Sequence, residues 1–168
     1  MHRLEVKNLS VSFAPNHDVE VVKQVSFSIS PGEILALVGE SGCGKSASCL
    51  AIGRLLAQSA KISADRITFA TAEDSTVDLA KLPEKKLRKL RGCGIAYIFQ
   101  EPSASLNPVF RIGDQIAEVL SLHRPDITDY KAECIKLLQE VGIAEPQNRL
   151  RAFPHELSGG MQIGRAHV

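Results

Sequence analysis

Gly39-Glu40-Ser41-Gly42-Cys43-Gly44-Lys45-Ser46 brings three glycines, one lysine and a terminal hydroxyl into eight residues, in the spacing G-x-x-x-x-G-K-[ST]. Residues of these types in this order suit the binding of a chain of phosphates. Glycines at 39, 42 and 44 let backbone N–H groups converge on an anion without Cβ clashes. A helix that starts near Lys45 turns the positive end of its dipole toward the same anion. The Lys45 ammonium neutralises β- and γ-phosphate charge, and the Ser46 hydroxyl is placed to ligate Mg²⁺. The binding set read from the motif is Gly39, Ser41, Gly42, Cys43, Gly44, Lys45 and Ser46. A glycine-rich turn with no ligand is the competing account. Cys43 is first a small residue of the loop and only second a reactive thiol.

Such a loop needs a strand before it and a helix after it. The continuous apolar run Ile34–Val38 predicts a central strand covered on both faces, and Ala47 to Ala57 has the content of a helix packed on a sheet. Upstream, Leu4 and Val6, then Leu9, Val11 and Phe13, read as an edge strand with a bulge or break. Val25, Phe27 and Ile29 alternate with serines as a half-buried strand that ends at the Pro31-Gly32 turn. Arg66 to Phe69 predicts a short strand. Pro83 to Arg91 predicts a helix with Leu87 and Leu90 inward, and its basic run (Lys85, Lys86, Arg88, Lys89, Arg91) reads as a solvated face. Ile95 to Phe99 predicts a second buried strand, ending at Gln100. From 101 to 161 there is no strand signal. Helices are expected at 112–122 and 128–141, the second with Ala132, Ile135, Leu138 and Val141 on one stripe and Gly142 as its C-cap.

Bulk properties narrow the function. The formal net charge of the 168 residues is +1, so the charge balance points to no polyanionic partner and is uninformative about nucleic acid, which is not expected as a partner. The longest purely apolar run is five residues, too short to span a bilayer, and the N-terminus has no hydrophobic signal segment. Cys43, Cys49, Cys93 and Cys134 form no C-x-x-C pair and read as free thiols. The five histidines include no H-E-x-x-H, which argues against a zinc hydrolase.

A second motif distinguishes among nucleotide-binding proteins. His155-Glu156-Leu157-Ser158-Gly159-Gly160-Met161 contains L-S-G-G about 110 residues after the phosphate loop, behind a helical stretch. It resembles the signature motif of ABC-transporter ATPases. Glu101-Pro102-Ser103-Ala104-Ser105-Leu106-Asn107-Pro108 and the methionine after L-S-G-G resemble the oligopeptide, dipeptide and nickel importer branch. The resemblance implies an α/β P-loop NTPase fold with an N-terminal antiparallel β layer and a helical subdomain. It implies ATP and Mg²⁺ as cofactors, catalytic duties for Lys45 and Gln100, Mg²⁺ ligation by Ser46 and Gln100, and adenine stacking by Phe13. Ser158, Gly159 and Gly160 would cover the nucleotide of a second ATP-binding subunit in a head-to-tail dimer. The same resemblance implies membrane permease subunits as partners, a substrate-binding protein indirectly, and a peripheral location on the cytoplasmic face of a prokaryotic inner membrane. Phe13 as a plain strand aromatic is the alternative for that position. At the level of function the alternatives are a soluble ABC-type ATPase acting on nucleic acid or ribosomes, and a nucleotide-binding fragment without activity.

The expected organisation is a nucleotide-binding α/β core over 1–100, a helical subdomain over 101–161, and a short foreign tail over 162–168. Ile163 to Val168 reverse-translates as ATC GGA AGA GCA CAC GTC, a common sequencing-adapter read, so the tail is expected to be an artefact. The family continues past L-S-G-G with a glutamate general base and a switch histidine. A chain without them, and without the C-terminal part of the core, is expected to be inactive and poorly soluble.

Overall fold

The computed structural model describes residues 3–14, 19–71, 75–99 and 105–157. The chain divides into two units, Met1–Ile95 and Ala96–Val168, each with its own core.

The first unit is built on a sheet. Strand β1 (Leu4–Phe13) pairs antiparallel with β2 (Glu20–Ile29) on one side. On its other side it pairs with β4 (Arg66–Ala70) and with β3 (Ala60–Ser63), and β4 carries β5 (Thr76–Asp78). The predicted edge strand is therefore the centre of the sheet. Its irregularity is real: the register shifts between Val6 and Leu9, where Asn8 adopts φ 51°. Asparagine tolerates that conformation because its side chain finds local partners. Here the Asn8 N–H donates to Ser26 Oγ (2.8 Å) and its Nδ2 donates to Asp65 (2.7 Å). Strands β3 and β5, too short to show periodicity, were not anticipated by the sequence pattern. Val6, Leu9, Val11, Val22, Ile67 and Phe69 form the sheet's buried face.

Helix α1 (Lys45–Ile52) adds Ala51 and Ile52 to that core, and α2 (Glu84–Leu90) adds Leu87. Helix α1 ends at Ile52, five residues short of the expected Ala57, with Gly53 as its C-cap and Arg54 at φ 53°. The carbonyls left open there are occupied by Arg91, which donates to Gly53 O (2.9 Å) and Arg54 O (3.3 Å) while its Nη1 binds Glu84 (2.6 Å). The Arg91 guanidinium beside Glu84 holds that carboxyl below its ordinary value. Lys85, Lys86, Arg88 and Lys89 point to solvent.

Two predicted strands are absent. Residues 34–38 and 95–99 form no strand; Ile34 is 95% exposed, Val38 92% and Ile98 53%, while Ile95 is half-buried against the core of the first unit. A strand exists only as one member of a hydrogen-bonded pair, and β1 to β5 pair among themselves. Continuous apolar composition announces a demand for neighbours on both sides; it does not supply them.

The second unit is helical throughout its described residues: α3 (Ile112–His123), α4 (Tyr130–Glu140), α5 (Pro146–Arg149) and a 3-10 turn at Pro154–Glu156. Asp129 caps α4 by accepting from the Ala132 N–H (3.0 Å). Gly142, at φ 74°, closes it, with the Ile143 N–H reaching Leu138 O (2.8 Å). The buried stripe of α4 is Cys134 and Leu138, flanked by Tyr130, Leu137 and Val141. Ala132, expected inward, is exposed. Ile135, Leu138 and Val141, also expected inward, lie in or against the core. Cys134→Ser, which buries a hydroxyl in this apolar face, should destabilise the chain by about 1–3 kcal/mol. Ala132→Lys should change stability by no more than about 0.5 kcal/mol in the same urea titration.

Candidate phosphate-binding site

The phosphate loop is organised by two glycines with positive φ. Gly44, the N-cap of α1, sits at φ 92°, and Gly42 at φ 82°. At Gly44 the reason is also spatial. A Cβ there would lie 2.8 Å from Val21 O and 2.9 Å from Val22 Cγ2, so the helix can start against β2 only if this residue has no side chain. Cys43 closes the loop from the other end: its N–H donates to Glu40 O (3.3 Å), and its Sγ would lie 2.7 Å from a Cβ at Gly39.

Lys45 lies across this loop. Its Nζ donates to Gly39 O (2.7 Å) and Glu40 O (2.6 Å) and stands 3.5 Å from Cys43 Sγ. The ammonium thus has neutral acceptors only. A phosphate oxygen is a stronger, charge-assisted acceptor for the same donors. Ser41, Gly42 and Cys43 are exposed around it, as is Ser46, so an anion can reach the loop from solvent. The Ser46 hydroxyl is a hard oxygen of the kind Mg²⁺ takes. Among the described residues no group of three or more His, Cys, Asp or Glu side chains could hold a metal ion.

Phe13, at the end of β1 opposite Ala60, is half-buried and packs against the core of the first unit. Gln100, Ser158, Gly159 and Gly160 lie outside the described residues.

The approach to L-S-G-G is defined up to Leu157. Glu156 accepts from the Phe153 N–H (2.7 Å), bracing the Pro154–Glu156 turn, and Leu157 is buried. The N–H groups of Ile112 and Gly113 donate to Ala152 O and Leu150 O (both 2.9 Å), which ties that segment to the first turn of α3. Gly113 is required there, since a Cβ would come 2.9 Å from Leu150 O. In the sequence Gly113 reads only as helix punctuation, and its role in this close approach is visible in the structure alone. Leu106, Phe110 and Val119 help to line a cavity of about 490 Å³, and Val109, Phe110, Val119 and Leu122 are exposed.

The ABC transporter family profile matches residues 22–166. The chain belongs to the ABC transporter family. A Brucella ovis protein, provisionally named a peptide import ATP-binding protein, is 44% identical over 95% of this chain and 48% of its own length. The oligopeptide transport ATP-binding protein of Mycobacterium tuberculosis is 41% identical over 94% of this chain and 25% of its own. The glutathione import ATP-binding protein of Escherichia coli O1:K1 is 41% identical over 95% and 26%. The chain thus spans about half, or a quarter, of the curated relatives it matches. Among solved structures, a dimeric bacterial ABC transporter cassette aligns with TM-score 0.73 at 20% identity, covering 97% of this chain and 68% of that one. An ATP-binding subunit of an ABC transporter aligns at 0.67 and 25%, covering 97% and 59%. The α/β cassette fold expected from the sequence is the fold of this chain.

If ATP occupies the loop, it shields Cys43. At ATP about tenfold above its Kd, maleimide alkylation of Cys43 should slow about tenfold by mass action. Cys93, exposed and distant in sequence, should react at an unchanged rate when both peptides are followed by mass spectrometry. Equal rates at Cys43 with and without ATP would contradict the site.

Proposed function

We propose that this chain is the nucleotide-binding part of an ATP-hydrolysing subunit that powers import of peptides or a related small solute through a membrane permease. The observation that carries the proposal is the Lys45 arrangement: a lysine ammonium held by two loop carbonyls at the start of a helix, in a member of the ABC transporter family.

In this reading the phosphates settle over the open loop, and Lys45 exchanges its carbonyl partners for β- and γ-phosphate oxygens. Gly42 and Gly44 keep the loop backbone curled, and the N-terminus of α1 adds its dipole. Ser46 donates its oxygen to Mg²⁺, which supplies charge neutralisation at the β- and γ-phosphates. Gln100 completes the metal site or orients the attacking water. Phe13 stacks on adenine only with the part of its ring that the core leaves free. Ser158, Gly159 and Gly160 cover the nucleotide of a second subunit, docked head to tail.

The permease would seat on the apolar surface formed by Val109, Phe110, Val119 and Leu122. Among the described residues no helix is long and apolar enough to cross a membrane. A peripheral position on the cytoplasmic face, reached through the permease, suits that. The segments 34–38 and 95–99 would be strands of the cassette's parallel sheet.

Lys45→Ala, placed in the gene that carries this chain, should abolish uptake of a labelled oligopeptide and cut ATP turnover of the purified subunit at least about a hundredfold, with protein levels unchanged. Undiminished uptake and turnover in that variant would sink the proposal.

A further inference from the structure

The helical unit contains a second concave site. It is a cavity of about 320 Å³ at the start of α3, along α4 and beside the turn after α5. Its apolar lining comes from Ala117, Tyr130, Cys134 and Leu150; of these Cys134 is almost fully buried and Leu150 buried. Three cations line it as well: Arg111 from the N-cap of α3, Lys131 from the first turn of α4, and Arg151 from beyond α5. Asp114 is the only acidic residue in the lining.

Elsewhere in the described residues some cations are ion-paired, as in Arg124–Asp126 (2.8 Å), Arg66–Glu5 (2.6 Å) and Arg91–Glu84 (2.6 Å). None of Arg111, Lys131, Arg151 or Asp114 has an ion-pair partner among those residues. Arg111 instead lies over the Phe153 ring, 5.9 Å from its centroid. Three separate segments therefore bring three cations, against one carboxylate, to one hollow with an apolar floor. The walls are held in place: Asp129 caps α4, and the Gly113 N–H bonds Leu150 O. A preformed hollow with an apolar floor and a few polar groups at its edge is the usual form of a small-ligand site, and this volume lies at the small end of that range.

We propose that this cavity binds a small organic anion, with the anionic head among Arg111, Lys131 and Arg151 and a short apolar body against Tyr130 and Leu150. The site is independent of the phosphate loop. Monobutyl phosphate is a suitable probe, with inorganic phosphate and butanol as the head and body alone. The chain has two tyrosines and no tryptophan, so Tyr97→Phe leaves Tyr130 as the sole intrinsic fluorophore.

Monobutyl phosphate should change Tyr130 emission saturably, and more tightly than inorganic phosphate or butanol. The affinity should fall at least about tenfold in Lys131→Ala/Arg151→Ala, whose two side chains are exposed and whose circular dichroism should be unaltered. It should also weaken as KCl is raised. Lys45→Ala should leave it unchanged, which separates this site from the phosphate loop. No saturable change up to about 10 mM probe, equal affinity in the double variant, salt-independent binding, or binding of butanol as tight as that of the phosphate ester would overturn the proposal.

Discussion

The ammonium of Lys45, resting on the carbonyl oxygens of Gly39 and Glu40, is the contact on which the rest of the arrangement depends. It needs the loop to curl back so that residue 39 approaches residue 43, and it needs α1 to begin at residue 45. Both conditions lead to Gly44. With φ 92° and no space for a Cβ beside Val21 and Val22, Gly44 sets the direction of the helix and its distance from β2. The antiparallel sheet is therefore more than a platform. The β2 backbone at Val21 is the surface against which the start of the phosphate-binding helix is seated.

The second unit is built from local devices that order the segment leading up to Leu157. Two N–H groups at the start of α3 hold the 150–152 carbonyls, Gly113 permits the approach, and Glu156 braces the last turn before Leu157. Each satisfies backbone groups that would otherwise be orphaned at a helix end or a turn. The segment that leads into L-S-G-G is thereby tied to an apolar core of Ile112, Ile116, Leu138 and Leu150.

What the sequence made legible follows from the range of the forces involved. The loop's positive-φ glycines, the start of α1, and the helices over 84–90, 112–123 and 130–140 are set by local rules, and each lies close to where its pattern predicted. The position of β1 in the sheet was misread, because alternation reveals which face is buried and says nothing about how many neighbours a strand has. Strands β3 and β5 were missed for their brevity. The α4 stripe was right at Ile135, Leu138 and Val141 and wrong at Ala132, which is exposed, while Cys134 and Leu138 carry the buried face. Ile34–Val38 and Ile95–Phe99 show the limit most plainly: their composition fits buried strands, yet strand formation is a property of pairs. In the site, Lys45 and the glycines were readable from spacing. Its carbonyl partners were not, since they depend on how the loop curls. Phe13 was readable as an aromatic on a strand, and its half-burial in the core was not.

The central claim is that the Lys45 ammonium is held in readiness by loop carbonyls and passes to phosphate oxygens when nucleotide binds. A structure of the chain with Mg²⁺ and a non-hydrolysable ATP analogue tests it most directly. The account predicts the phosphates inside the 39–46 loop, Lys45 Nζ in contact with β- and γ-phosphate oxygens, the Ser46 hydroxyl on the metal, and Gly42 and Gly44 still at positive φ. Nucleotide bound elsewhere, with Lys45 still donating to both Gly39 and Glu40 and making no phosphate contact, would contradict it.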